Sequence, residues 1–274
     1  MRAKALLKKF LKRMKKIQKT ERWIKHWAGH FNVLYDTLLG AHNTQILKND
    51  IGECLTQALY IYRKGYTFAY FEEDDYRIFG KKIATAVTND PKIALFWSKN
   101  LIRSTDTITA FMKKYMRSNL TSEQYQEFVH LFNEYSTWHR PVKVVVDFLP
   151  PDILKKVMPA LSKSRIHAEH VYDYNEKIIR NYAKRMSKKS GYAYEHLLAL
   201  NEGDMIRYFK NGTLPKESVL AERYKGCAML FRKGSYTTVT GAEVSTIENT
   251  VAQAHEKKMS LREKRHTRGL CVER

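Results

Sequence analysis

Residues 226–239, GCAMLFRKGSYTTV, carry the clearest strand signals in the chain. An apolar run at 226–231 and a β-branched run at 236–239 flank a glycine-containing turn at 232–235. This order is typical of a β-hairpin. We therefore predict a hairpin here, followed by a helix over 241–254.

The rest of the sequence favours helices. Its 274 residues include 12 Gly and 6 Pro, well below the average content of these two residues in globular chains. Apolar residues recur every three or four positions over long stretches, as on one face of a helix. The predicted helical segments are 30–64 with a break near Gly40 and Asn43, 91–116, 122–138, 152–161, 163–188, 194–200, 203–209 and one that begins at Pro215.

Two short segments depart from this pattern. Thr67–Phe71 is aromatic and short, which is compatible with a strand. The stretch from Arg140 to Pro151 contains several valines and ends in two prolines, so a short strand or an extended connector is expected there. The predicted fold class is mainly α, a multi-helix domain with a small β-hairpin near the C-terminus.

The charge pattern suggests four segments. The chain holds 49 Lys and Arg against 28 Asp and Glu, a net charge of +21. We predict a basic amphipathic helix over 1–29, a helical domain over 30–220, a hairpin plus helix over 221–255 and a charged linker over 256–274.

The first segment carries a large share of the positive charge. Its apolar stripe continues through Trp23, Ile24 and Trp27. A basic amphipathic helix is typical of membrane-surface and partner-binding helices. Its stripe can equally dock on the rest of the protein. The candidate polyanion-binding residues are Lys8, Lys9, Lys12, Arg13, Lys15 and Lys16.

Several classes of protein fit the sequence poorly. Three cysteines without a CxxC spacing indicate neither a disulfide framework nor a zinc site, so a reducing, cytoplasmic location is expected. The scarcity of glycine argues against a dinucleotide-binding fold or a phosphate-cradling loop. His167, Glu169 and His170 could be considered as metal ligands, but their spacing is not that of a zinc protease, and packing histidines are favoured.

A longer region resembles a known group of proteins. The segments that carry the likeness are DFLP (147–150), LSKSRIHAEHVY (161–172), SGY (190–192), LLAL (197–200), YFKNGTLP (208–215), ERYKGC (222–227), TGAE (240–243) and GLCV (269–272). Together they resemble the helical region that precedes the mobile phosphohistidine domain of phosphoenolpyruvate-utilising proteins such as the phosphoenolpyruvate synthase-like enzymes.

The resemblance implies a non-catalytic helical scaffold or an acceptor-substrate-binding region of a phosphotransferase-like protein. None of the ten histidines lies in the glycine-rich Ser-His-Ala-Ala context of the family's phosphate carrier, so no catalytic residue carries over. ATP or phosphoenolpyruvate and Mg²⁺ would belong to domains that this sequence lacks. The mobile phosphohistidine domain would be a partner in cis or in trans. The candidate substrate-binding residues are Arg165, His167, Glu169 and Tyr172.

Another functional class stays open. The chain could be a cationic protein that binds nucleic acid or an anionic membrane surface through the 1–29 helix. A metal-dependent enzyme built on His167, Glu169 and His170 is a third hypothesis.

Overall fold

The computed structural model describes residues 22–251. The predicted charged linker and the six candidate polyanion-binding residues of the first segment lie outside this range. No helix within 22–251 is long and apolar enough to cross a lipid bilayer.

The described chain is mainly helical and contains one antiparallel sheet, which confirms the predicted fold class. The strands are β1 (Trp23–Gly29), β2 (Gln57–Arg63), β3 (Tyr66–Glu72), β4 (Cys227–Arg232) and β5 (Ser235–Thr240). The α-helices are α1 (Val33–Ala41), α2 (Lys48–Ile51), α3 (Glu73–Asn89), α4 (Lys92–Tyr115), α5 (Ser122–Val144), α6 (Pro151–Ala168), α7 (His170–Ser190), α8 (Tyr194–Leu197), α9 (Glu202–Asn211), α10 (Glu217–Lys225) and α11 (242–251). A π-helix spans His42–Ile46 and a 3₁₀ turn spans Val145–Asp147.

The sheet has the strand order β1-β3-β2-β4-β5. The predicted C-terminal hairpin is β4 and β5, and the strand expected near Thr67 is β3. The sheet is larger than predicted because β1 and β2 were both expected to be helical. The hairpin is also part of the same sheet as β2 and β3, so the division at residue 220 does not separate two sheets.

Strand β2 is buried on both faces of the sheet. Tyr60 and its alternate neighbours face the large helical core, whereas Leu59 and Ile61 face a smaller core under α11. A strand covered on both faces reads as a continuous apolar run rather than an alternating one. The prediction of a helix through Leu55, Leu59 and Tyr62 was therefore wrong.

Strand β1 replaces the last part of the predicted basic helix. Trp23 pairs with Glu72 and Gly29 with Thr67, and an irregularity between Lys25 and Trp27 shifts the register. This bulge disturbs the two-residue alternation that marks a strand. The helical prediction was wrong for residues 23–29.

Two further boundaries differ from the predictions. Helix α5 continues through Pro141 to Val144, where a short strand or an extended connector was expected. Proline removes one backbone hydrogen bond, but here it lies in the last turn of the helix. The boundary predicted near residue 162 lies inside α6, which runs unbroken to Ala168, and α7 begins at His170 after the break at Glu169.

The contact between α1 and β4 depends on a residue without a side chain. A Cβ atom on Gly40 would lie 2.5 Å from Cε2 of Phe231, much closer than carbon atoms can pack. We expect Gly40→Ala to reduce the free energy of unfolding by about 1–3 kcal/mol, measured by urea denaturation. Gly203→Ala in α9 is the matched control, because its nearest neighbour is 3.4 Å away. Equal stabilities of the two variants would contradict this packing.

Candidate functional site

One face of α5 concentrates polar and aromatic side chains. Tyr135, Ser136, His139, Arg140 and Lys143 line the same cavity. Residues three or four positions apart lie on the same side of a helix, and these five residues are spaced in that way. The helix thus delivers two cations, an imidazole and two hydroxyl-bearing side chains to one place.

The cavity that this face lines has a volume of about 160 Å³. Trp27 and Ala28 from the end of β1 form a second part of its wall. Phe31 lies just before α1, and Tyr35 and Leu39 follow on α1 at intervals of four residues, so all three face the cavity. Helix α7 contributes Tyr172. The lining residues outside α5 are Trp27, Ala28, Phe31, Tyr35, Leu39 and Tyr172.

Arg140 is 4% exposed and is held by neutral groups. Its Nε donates to Oδ1 of Asn43 at 2.9 Å, and its Nη1 lies 3.4 Å from Nε2 of His26. The guanidinium carbon lies 5.3 Å from the centre of the Phe71 ring, an arrangement that favours a cation. The guanidinium therefore has a fixed position at the cavity wall.

The π-helix explains how Asn43 reaches Arg140. The π-helix continues directly from α1 and contains both His42 and Asn43. His42 Nε2 lies 3.0 Å from the hydroxyl of Thr137 on α5, and Asn43 Nδ2 donates to the Tyr60 hydroxyl on β2 at 3.0 Å. Single-turn π segments are frequent at functional sites. Here the segment ties α5 to the sheet behind the cavity.

The cavity is electropositive. Burial, then the charges of Arg140 and Arg165, lowers the pKa of Lys143 to about 8. Burial, then the charges of Lys143 and Arg140, lowers the pKa of His139 well below its ordinary value. Among residues 22–251, no carboxylate forms an ion pair with Arg140 or Lys143. Two neighbouring cations in a partly dry cavity without an ion-pair partner are costly to the protein alone.

The cavity wall also contains a hydrogen bond that orients one ring. The Tyr172 hydroxyl lies 3.0 Å from Nε2 of His139, and the His139 ring stacks on Tyr135 with centroids 5.3 Å apart. Because His139 stays neutral, the tyrosine hydroxyl can donate to it or accept from it. The pair can place a proton donor or acceptor next to a bound anion.

The structure separates the four predicted substrate-binding residues. Tyr172 lines the cavity. Arg165 acts on it through its charge, since it contributes to the lowered pKa of His139 and of Lys143. His167 instead lies 2.7 Å from Oδ1 of Asp106 on α4 and is exposed to solvent. Glu169, at the break between α6 and α7, does not line the cavity, but its charge contributes to the raised pKa of Tyr172, which burial dominates.

The sequence analysis missed His139, Arg140 and Lys143. The signal that could have found them is their helical spacing together with Tyr135 and Ser136. Pro141 hides this signal, because proline inside the run predicts an extended segment rather than a helix.

The third hypothesis, a metal site at His167, Glu169 and His170, finds no assembled cluster within residues 22–251. His167 and His170 have ring centroids 5.9 Å apart, but Nε2 of His170 lies 3.0 Å from the Thr109 hydroxyl and that of His167 contacts Asp106. Residues 22–251 contain no group of three or more His, Cys, Asp or Glu side chains suited to a metal ion.

A second, apolar cavity lies between α7, α5 and the segment around α8. Its volume is about 30 Å³, close to the space of one or two water molecules. The cavity at Arg140 is larger and polar, so it is the better candidate for a ligand site.

Comparisons with protein-family models, with curated proteins and with solved structures found no match to this chain. The resemblance to phosphoenolpyruvate-utilising proteins stays a prediction.

Proposed function

We propose that this chain binds a small anionic ligand in the cavity at Arg140 and Lys143. Two neighbouring cations without a carboxylate partner support this proposal. Proteins rarely bury such charges unless a partner neutralises them. A bound anion would supply the missing charge, and Arg140 presents a planar array of donors that suits a carboxylate or a phosphate.

In this proposal the chain serves as the acceptor-substrate-binding region of a phosphoenolpyruvate-utilising, phosphotransferase-like protein and is not catalytic alone. A mobile phosphohistidine domain, in cis or in trans, would be its partner. That domain and its nucleotide- or phosphoenolpyruvate-binding counterpart would supply the transferred phosphoryl group and Mg²⁺. The cavity supports the ligand-binding part of the proposal, and the resemblance motivates the rest.

Lys143→Met tests the charge of the site. Without ligand, we expect the free energy of unfolding of the variant at pH 7 to exceed that of the parent by about 1–2 kcal/mol. The full pKa shift of Lys143 corresponds to roughly 3 kcal/mol, and solvent screening reduces this value. The sign follows because the folded state disfavours the Lys143 cation, whose pKa falls to about 8. The parent should regain stability between pH 8 and 10.5, where only the unfolded chain keeps that proton.

An anion that binds in the cavity should stabilise Lys143→Met less than it stabilises the parent protein. Inorganic phosphate, acetate and benzoate are added separately, and the melting temperature is followed, since a ligand that binds only the folded state raises it. At least one anion should stabilise the parent, and Lys143→Met should reduce that effect. Lys99→Met, an exposed substitution on α4, is the control. If no anion stabilises the parent, or if both variants respond as the parent does, the proposal is wrong.

A further inference from the structure

The two sides of the cavity differ in chemistry. The α5 side supplies both cations, His139 and the side chains of Tyr135 and Ser136. The part of the wall that comes from β1 and the α1 region presents aromatic and aliphatic surface from Trp27, Phe31 and Leu39. A ligand that fits both sides needs an anionic group and an apolar body.

The apolar side is built from rings in fixed geometry. Phe31 and Tyr35 stack with centroids 4.5 Å apart, and Trp27 meets Phe31 edge to face at 5.1 Å. Phe31 also meets Tyr172 edge to face at 6.1 Å. Aromatic side chains prefer such offset and edge-to-face partners. A flat ring placed against their cavity-facing surface would extend the same packing pattern.

The size of the cavity limits the ligand. A volume of about 160 Å³ is close to that of an engineered cavity of about 150 Å³ that accommodates benzene. A single six-membered ring with one small substituent therefore matches the space. A nucleotide or a sugar phosphate with a second ring exceeds it.

From these three observations we infer that the ligand is a small aromatic anion, a single planar ring that carries a carboxylate or a phosphate group. The anionic group lies against Arg140 and Lys143, and the ring lies against Phe31 and Trp27. This inference rests on the proposed function and specifies the class of its ligand.

Calorimetric titration of the full chain tests the inference with five probes. Benzoate and phenyl phosphate carry a ring and a charge, acetate and inorganic phosphate carry only a charge, and benzyl alcohol carries only a ring. We expect at least one of the two aromatic anions to bind tenfold or more tightly than its ringless counterpart and than benzyl alcohol. Comparison of benzoate with phenyl phosphate identifies the preferred anionic group.

Two variants measure how much the apolar and the cationic side of the cavity each contribute to ligand affinity. Phe31→Leu keeps an apolar side chain but removes the ring, and it should weaken the aromatic anions at least fivefold while leaving acetate and inorganic phosphate unchanged. Lys143→Met should weaken every anion. Phe96→Leu is the matched control, since Phe96 is 56% exposed on α4 and does not line the cavity.

The outcomes separate the inference from the proposed function. If acetate or phosphate binds as tightly as the aromatic anions and Phe31→Leu has no effect, the aromatic class is wrong and the anion site stands. If no anion binds, or if benzyl alcohol binds as tightly as benzoate and Lys143→Met changes nothing, both are wrong.

Discussion

Replacing Phe231 with alanine is expected to reduce the free energy of unfolding by about 3–5 kcal/mol. Phe231 is fully buried on β4, meets Tyr60 edge to face at 5.4 Å and contacts Tyr236 at 4.9 Å between centroids. Its ring also fills the space beside Gly40. Removing it leaves a cavity where two strands and a helix meet, and the surrounding elements can close it only in part.

Urea denaturation of Phe231→Ala measures this loss. Phe96→Ala is the control, because its exposed ring should change stability by less than about 0.5 kcal/mol. A loss at residue 231 no larger than that of the control would contradict the position of β4 in the core.

The burial of His42 is expected to make the protein less stable as the pH falls below 6.5. His42 is fully buried, and burial followed by the charge of Arg140 lowers its pKa to about 3. In the unfolded chain this histidine takes up a proton near pH 6.5, whereas in the folded chain it does so only near pH 3. The unfolded state therefore binds more protons between these values, and stability falls with pH by about 1.4 kcal/mol per unit for this one group.

Urea denaturation at several pH values checks this expectation. Between pH 6.5 and 5, His42 alone should cost about 2 kcal/mol. His26 and His139, whose pKa values burial also lowers, act in the same direction. Glu176, whose pKa burial raises to about 7, acts in the opposite direction, so the contribution of His42 is read from the difference between parent and variant. His42→Gln keeps a polar partner for Thr137. It should reduce the pH dependence of the free energy of unfolding by the amount that His42 contributes. His130→Gln, an exposed substitution on α5, should leave the slope as it is. An unchanged slope in His42→Gln would show that His42 is protonated normally.

The sheet shows which strands local sequence can predict. The β4–β5 hairpin was predicted because apolar and β-branched runs flank its turn, where Lys233 and Gly234 both have positive φ. Strands β2 and β3 are joined by the same dipeptide, Lys64-Gly65, again with both φ values positive. Such turns match the twist of a hairpin. The apolar residues before Gly65 also fit a helical period, so the sequence predicts a helix that ends at Gly65, and the turn is missed.

The pairing of β2 with β4 could not be predicted from local sequence. Gln57 pairs with Arg232 and Tyr62 with Cys227, and the sequence between them gives no sign of this contact. Burial on both faces follows from that pairing and from α11. A period-based prediction sees only the resulting apolar run, which suits a helix as well as a central strand.

Of the residues that line the cavity at Arg140, the sequence predicted only Tyr172 as a site residue. Tyr172 was identified through the family resemblance, whereas Arg140 and Lys143 lie in a stretch with proline at 141, 150 and 151. The packing of α5 tolerates Pro141 in its last turn. Tertiary structure here overrides a local helix-breaking signal, and the cavity exists only because α1, α5, α7 and β1 converge.

The strand order also ties folding to protein synthesis. Strand β2 lies at the middle of the sheet, and its second neighbour β4 begins 164 positions after Arg63. At about 5–20 residues per second, a ribosome needs about 8–33 s to make that interval. During this time β1, β3 and β2 can assemble only as a three-stranded unit in which β2, later a central strand, is an open edge, and open edges invite pairing with other chains. The period of greatest aggregation risk is therefore set by the speed of translation.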